Sequence, residues 1–225
     1  MSKARPVDLP APDLPALEHA LKRWLAAQPT SDQAHDVGHI ERVVVSCKQL
    51  AKQENASLEV VVPAAWLHDC VSLPKNHPQR AQASSLAAER AAQVLLELGY
   101  PKALLPEVQH AIRAHSFSAG IPCETIEAKI LQDADRLDAL GAIGIARCLQ
   151  VSCALKRPLY HPIDPLCETR QPDDSLAAID HFHTKLFSLS EKMNTESGKA
   201  EGERRTQYMR EFLHQLGSEI NAGEA

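Results

Sequence analysis

The 225-residue chain is 44% hydrophobic and 24% charged, apolar enough for one sizeable core or at most two small ones, which excludes disordered, fibrous and mini-protein classes. Its 24 Lys and Arg against 29 Asp and Glu give a formal charge of -5, so no global positive field exists to hold a large DNA or RNA partner. Aromatics are only 4% and β-branched residues come in short bursts rather than period-two runs, so the expected fold class is all-α, helices packed on helices.

The N-terminal lead is Pro-rich and carries no apolar run of the secretory kind. Asp13 then caps a predicted helix reaching about Gln28, with Leu14, Leu17, Leu21, Trp24 and Leu25 at helical spacing. A second helix is predicted from about Asp36 to Gln53, with His39, Val43, Cys47 and Leu50 on one face. The third covers about Leu58 to Cys70 and contains the apolar run Val60 to Leu67, too short to cross a bilayer. Pro74 and Pro78 make the next stretch a loop. Helical spacing returns from Gln79 to Leu98, closed by Gly99 and Pro101, and again at about Lys102 to His115, Cys123 to Leu140 and Gly141 to Leu155. Lys156 to Asp174 holds four prolines and reads as a long loop, able to serve as a lid or as an inert excursion. Helices at about Ser175 to Lys192 and Thr195 to Ile220 complete the chain. The six cysteines form no C-x-x-C pair and read as reduced thiols. The expected location is the cytosol, without membrane association.

Three polar positions fall where helix geometry puts the core. His39 heads an apolar stripe, His68 and Asp69 end the most apolar run, and Asp135 shares a face with Leu131 and Asp138. Buried carboxylates are costly unless paired or metal-bound. Two imidazoles and two carboxylates from three helices offer a mixed nitrogen and oxygen donor set, suited to a divalent ion that keeps positions open for water. Manganese, magnesium, iron, cobalt, nickel and zinc all suit such donors.

The order of these residues, a helical His, then His-Asp ending an apolar helix, then a distant Asp in Ala134-Asp135-Arg136-Leu137, resembles the H...HD...D signature of the HD-domain metal-dependent phosphohydrolases. His39-Ile40-Glu41-Arg42-Val43 is similar to the first ligand helix of that superfamily, Trp66-Leu67-His68-Asp69 to its central motif, and Asp133 to Asp138 to its last. Similarity to the small stand-alone bacterial branch extends through Leu73-Pro74-Lys75-Asn76, Ala114-His115-Ser116-Phe117, Gly141 to Arg147 and Met193-Asn194-Thr195-Glu196, most of the chain from Ala34 to Leu216. The resemblance implies a compact helical bundle with the metal between helices, and His39, His68, Asp69 and Asp135 as its ligands. It also implies that residues 1–29 are a lead and helix packing on the core and that 30–225 form one continuous phosphohydrolase domain. The position three residues after Asp69, a carboxylate in some nucleotidase branches, is Ser72 here. The acid or base therefore lies elsewhere or is the metal-bound water itself.

Phosphoryl substrates also need cations. Lys75 falls beside the metal by resemblance and is expected on phosphate. Arg42, one turn after His39, belongs either on phosphate or on Asp69 or Asp135, and Arg80 is either a phosphate contact or a plain helix-start arginine. His115 is a candidate proton donor, substrate contact or ligand of a second ion, with His110 a weaker candidate for the last role. Asp138 is placed to hold a water or an imidazole. The expected activity is hydrolysis of a small nucleotide, a nucleoside or deoxynucleoside triphosphate cut to monophosphate and pyrophosphate. Alternatives are a cyclic-nucleotide phosphodiesterase, a 5'-nucleotidase and a nucleotide-sensing module without turnover. Either a monomer or a homodimer is compatible with the sequence.

Overall fold

Helix α1 (Leu14–Ala26) starts where the sequence predicts, because the Asp13 carboxylate accepts from the Ala16 amide at 3.1 Å and so satisfies a first-turn donor. The structure, a computed structural model, describes residues 12–28, 37–71, 73, 77, 79–116 and 119–220. Among these no strand occurs, and the all-α expectation is met by nine α-helices linked by 3₁₀ turns. The chain forms two compact units, Met1–Gln132 and Asp133–Ala225.

In the first unit α2 (Val37–Glu54), α3 (Leu58–Leu67), α4 (Ala83–Glu97) and α5 (Leu105–His115) follow α1. Helix α3 is apolar all round and is the hub: Val60 to Leu67 are all buried, against α1, α2, α4 and α5. A shared carboxylate ties α1 into this group, since Glu18 accepts from Lys48 of α2 at 2.7 Å and from the Trp66 indole of α3 at 3.1 Å. The predicted third helix ran to Cys70, yet α3 stops at Leu67. The His68 ring nitrogen Nδ1 lies 2.8 Å from the Ala65 carbonyl, the acceptor that the Asp69 amide would take if the helix continued. His68 keeps helical dihedrals (φ -57°, ψ -35°), and the chain tightens into a turn in which the Cys70 amide donates to the Leu67 carbonyl at 3.1 Å. Helix α4 ends at a left-handed Gly99 (φ 75°), as its C-cap signature requires.

Helix α6 (Ile126–Leu137) begins in the first unit and ends in the second, which continues with α7 (Gly141–Ala154), α8 (Asp180–Thr184) and α9 (Glu196–Ile220). The predicted helix over 175–192 is replaced by a turn, the short α8 and 3₁₀ turns at Leu186–Ser188 and Ser190–Lys192. Side chains there capture the backbone: Asp173 accepts from the Ser175 amide at 2.9 Å, and Asp180 accepts from the Asp173 amide at 2.7 Å. The long loop before it is tied down rather than loose. Asp164 accepts from the amides of Glu168, Thr169 and Arg170, and Arg170 reaches buried Asp180 at 2.6 Å. No single helix among the described residues is long and apolar enough to cross a membrane, and all six cysteines are free.

Candidate metal centre

Each histidine of the candidate site is placed by a helix end. His39 lies in the first turn of α2, His68 directly follows α3, and His115 is the last residue of α5. All three are buried, His68 completely. The His68 ring centroid is 5.5 Å from that of His39 and 5.0 Å from that of His115, both edge-to-face. Asp69 closes the group, its Oδ2 3.6 Å from His68 Nε2 and its Oδ1 3.5 Å from His115 Nε2. Burial pushes the Asp69 carboxyl up, but the surrounding imidazoles in their protonated form, His68 first and then His115 and His39, outweigh it and hold the group far below the usual carboxylate range.

The protonation pattern of two rings follows from their partners. A carbonyl only accepts, so His68 Nδ1, 2.8 Å from the Ala65 carbonyl, and His115 Nδ1, 2.6 Å from the Ile112 carbonyl, carry the hydrogens. In the neutral rings the Nε2 lone pairs then point at Asp69. A ring donating its far N–H to a carbonyl while turning its other nitrogen inward is the arrangement metal-bound histidines adopt. Ligand atoms of His68, Asp69 and His115 lie within 4.8 Å of one another. Asp135 is set by α6 itself: one turn earlier, Gln132 donates to the Ala114 carbonyl at 2.9 Å and the His115 carbonyl at 3.3 Å, fixing that helix against the end of α5. Neutral imidazoles plus anionic carboxylates fit a divalent ion of the kind that accepts mixed nitrogen and oxygen donors.

Of the four expected ligands, His39, His68 and Asp69 gather in the first unit together with His115, and Asp135 lies on the part of α6 that belongs to the second unit. Arg42 is half-buried one turn after His39. Asp138 is buried with the Arg147 guanidinium on its Oδ2, and Arg136 donates to the Lys192 carbonyl. Arg80 is exposed and donates to the Leu73 carbonyl at 2.7 Å. His110 accepts from the Glu124 amide at 3.1 Å. Asp36, Ser72 and Lys75 lie outside the described residues. Sequence reasoning missed Gln132 and Arg147; the only signal for Gln132 was its place one turn before Asp135.

Residues 36–140, which hold every expected ligand, match the HD domain family. A Bacillus subtilis protein, YpgQ, is 31% identical over 206 residues that cover 89% of this chain and 92% of that protein. The chain belongs to the HD-domain family. Among solved structures it resembles an HD-superfamily hydrolase from Bacillus thuringiensis (TM-score 0.73, 31% identity, 93% of this chain and 99% of that one). It also resembles B. subtilis YpgQ in complex with ADP (TM-score 0.70, 29% identity, 94% and 99%). A predicted HD-superfamily hydrolase from an uncultured Thermotogales bacterium shares the fold at 26% identity and a TM-score of 0.60, over 93% and 94%. This HD-domain protein is thus a hydrolase of the metal-dependent kind, and its His and Asp clusters are the groups able to hold the ion.

Proposed function

We propose that this HD-domain hydrolase cleaves nucleoside or deoxynucleoside triphosphates to monophosphate and pyrophosphate. The observation that carries the reading is the meeting of three buried imidazoles with Asp69 at the end of the apolar helix α3. His39, His68, Asp69 and Asp135 would hold a divalent ion, which when bound would supply a water of lowered pKa and polarise a phosphoryl oxygen. The bound ADP of the related YpgQ structure supports a small nucleotide as ligand.

The chain's own residues do the remaining work. His115, with Nδ1 engaged by the Ile112 carbonyl, offers Nε2 beside Asp69 to hold or move a proton. Arg42 and Lys75 bind phosphate oxygens, whereas Arg80 is engaged with the Leu73 carbonyl. Asp138 acts from one turn beyond Asp135. Cations at one end of a linear polyphosphate and the donor cluster at the other orient it for attack at the α-phosphorus. Pyrophosphate then leaves as a stable anion needing no separate acid, in keeping with Ser72 where other branches have a carboxylate. Monophosphates, whose alkoxide leaving group needs a proton, are the poorer substrates.

Hydrolysis in oxygen-18 water tests the bond. The label is expected in the nucleoside monophosphate; label in orthophosphate, or faster turnover of monophosphates, overturns the reading. The presence of a third imidazole, His115, beside His68 and Asp69 favours one alternative, a two-ion phosphodiesterase. That alternative requires cyclic nucleotides to outcompete triphosphates and two ions per chain.

A further inference from the structure

Helix α5 ends on His115, and that end is held from outside the helix. The last carbonyls of a helix have no amide partner within it. Here side chains from other segments meet them. The Ser84 hydroxyl of α4 donates to the Arg113 carbonyl at 3.0 Å, and the Cys123 thiol donates to the Ala114 carbonyl at 3.5 Å. The Gln132 carboxamide of α6 donates to the Ala114 carbonyl at 2.9 Å and to the His115 carbonyl at 3.3 Å. One nitrogen carrying two hydrogens thus serves two successive carbonyls. Gln132 is 8% exposed and belongs, like α5, to the first unit. Burial keeps water from competing for the same carbonyls.

The His115 ring is engaged at both nitrogens, with Nδ1 2.6 Å from the Ile112 carbonyl and Nε2 3.5 Å from Asp69 Oδ1. The Ile112 carbonyl belongs to the same last turn of α5. Helix ends fray, and fraying of this turn displaces the Cα of His115 and the anchor of its ring together. The approach of Nε2 to Asp69 therefore depends on the turn staying closed. His68 shows the contrast, since its turn is closed by the backbone itself, through the Cys70 amide and the Leu67 carbonyl. At His115 the hold on the last two carbonyls comes from a residue of another helix, so the place of the ring follows α6.

We propose that Gln132 is a positioning residue for the hydrolysis: by clamping the last two carbonyls of α5 it holds the His115 imidazole in place beside Asp69. The assignment rests on the proposed nucleotide hydrolysis and on His115 taking part in it. A misplacement of about 1 Å at a reacting group costs on the order of a hundredfold in rate. Loss of the clamp therefore acts on turnover and leaves nucleotide binding and the ion in place.

A double-mutant cycle on the manganese-loaded full chain tests it, with the nucleotide that the wild-type chain cleaves fastest as substrate. Gln132→Met, which keeps the length of the side chain and removes its donors, is expected to lower kcat at least about tenfold while KM and metal content change less than about twofold. In a His115→Ala background, itself about a hundredfold slower, the same substitution is expected to change kcat less than about twofold, because nothing is left to position. A brace of the fold lowers kcat in both backgrounds. Nitrogen-15 spectra of the histidine rings of the metal-free chain give a readout without turnover, with His115→Ala identifying the signal. The wild-type ring is expected to carry its hydrogen on Nδ1, and Gln132→Met to mix the two tautomers while the other rings stay unmoved. Where His115→Ala is too slow to measure, this spectrum decides. Should Gln132→Met fail to fold, Gln132→Asn, which withdraws the carboxamide by one methylene, takes its place. Equal losses of kcat in the two backgrounds, full activity of His115→Ala, loss of the ion, or an unaltered His115 signal overturns the assignment. The products separate it from the reading it rests on. Coupling of Gln132 to His115 with orthophosphate released, or on a cyclic nucleotide, overturns the pyrophosphohydrolase reading and leaves Gln132 assigned, whereas pyrophosphate release with equal losses in both backgrounds does the reverse.

Discussion

His68 stands between His39 and His115, its ring centroid 5.5 Å from the first and 5.0 Å from the second. Its ring is fixed by Ala65 on one side and faces Asp69 on the other. His68→Ala removes the central donor, and Asp135→Ala removes the carboxylate that α6 is proposed to contribute; both variants are expected to lose the bound ion, as metal analysis of purified protein checks. Asp69→Ala is expected to abolish hydrolysis through the same loss. Lys75→Ala is expected to keep the ion and chiefly raise KM for the nucleotide, because a phosphate contact acts on substrate grip rather than on the metal. Equal metal loss in the Asp69 and Lys75 variants would remove Lys75 from the site.

Between elements, the second unit is held by side chains that bridge α6 to α9. Asp133 of α6 is fully buried and accepts from the Asn194 amide at 2.8 Å, the Thr195 amide at 2.8 Å and the Thr195 hydroxyl at 2.8 Å. Asp133→Ala leaves these donors without their acceptor and is expected to cost about 3 kcal/mol, read by urea denaturation. A second bridge is pH-sensitive. Arg204, with help from Arg205, holds the Glu201 carboxyl down at about 2 from an ordinary 4.5, against the opposing effect of burial. Arg205 in turn donates to the Leu137 carbonyl at 2.7 Å. Because the folded-state value is the lower one, Glu201 stabilises the fold above about 4.5 and loses that contribution as pH falls from there to about 2. The pair is partly exposed to solvent, so Glu201→Gln is expected to cost under about 1 kcal/mol at neutral pH. The variant and wild-type melting curves are expected to converge at about pH 2.

For the molecule as a whole, a ligand that binds only the folded state stabilises it in proportion to the logarithm of its concentration over Kd. An ion at a hundred times its Kd adds about 2.7 kcal/mol. Thermal scans with and without manganese are expected to show an upward shift of the melting temperature that chelator reverses and that His68→Ala abolishes. A shift that persists in His68→Ala would place the ion elsewhere.

What the sequence determined by itself is local and periodic. Apolar spacing set the helical class and most boundaries, Asp13 and Gly99 marked helix ends by cap chemistry, and the order of His39, His68, Asp69 and Asp135 on core faces pointed to a metal. Tertiary structure decided which faces meet. The approach of His115 to Asp69 depends on how the ends of α3 and α5 pack, and the hold of Gln132 on α5 depends on the azimuth of α6; neither leaves a periodic trace. The stretch 175–192 kept helical spacing yet broke into short turns, since Asp173 and Asp180 capture backbone amides and propensity does not register such competition. Arg147 meets Asp138 because a missing Cβ at Gly144 lets α7 come close to the Ala139 carbonyl. Helical periodicity records which side of one helix is buried, whereas a site assembled from several helix ends is fixed by contacts between residues far apart in the chain.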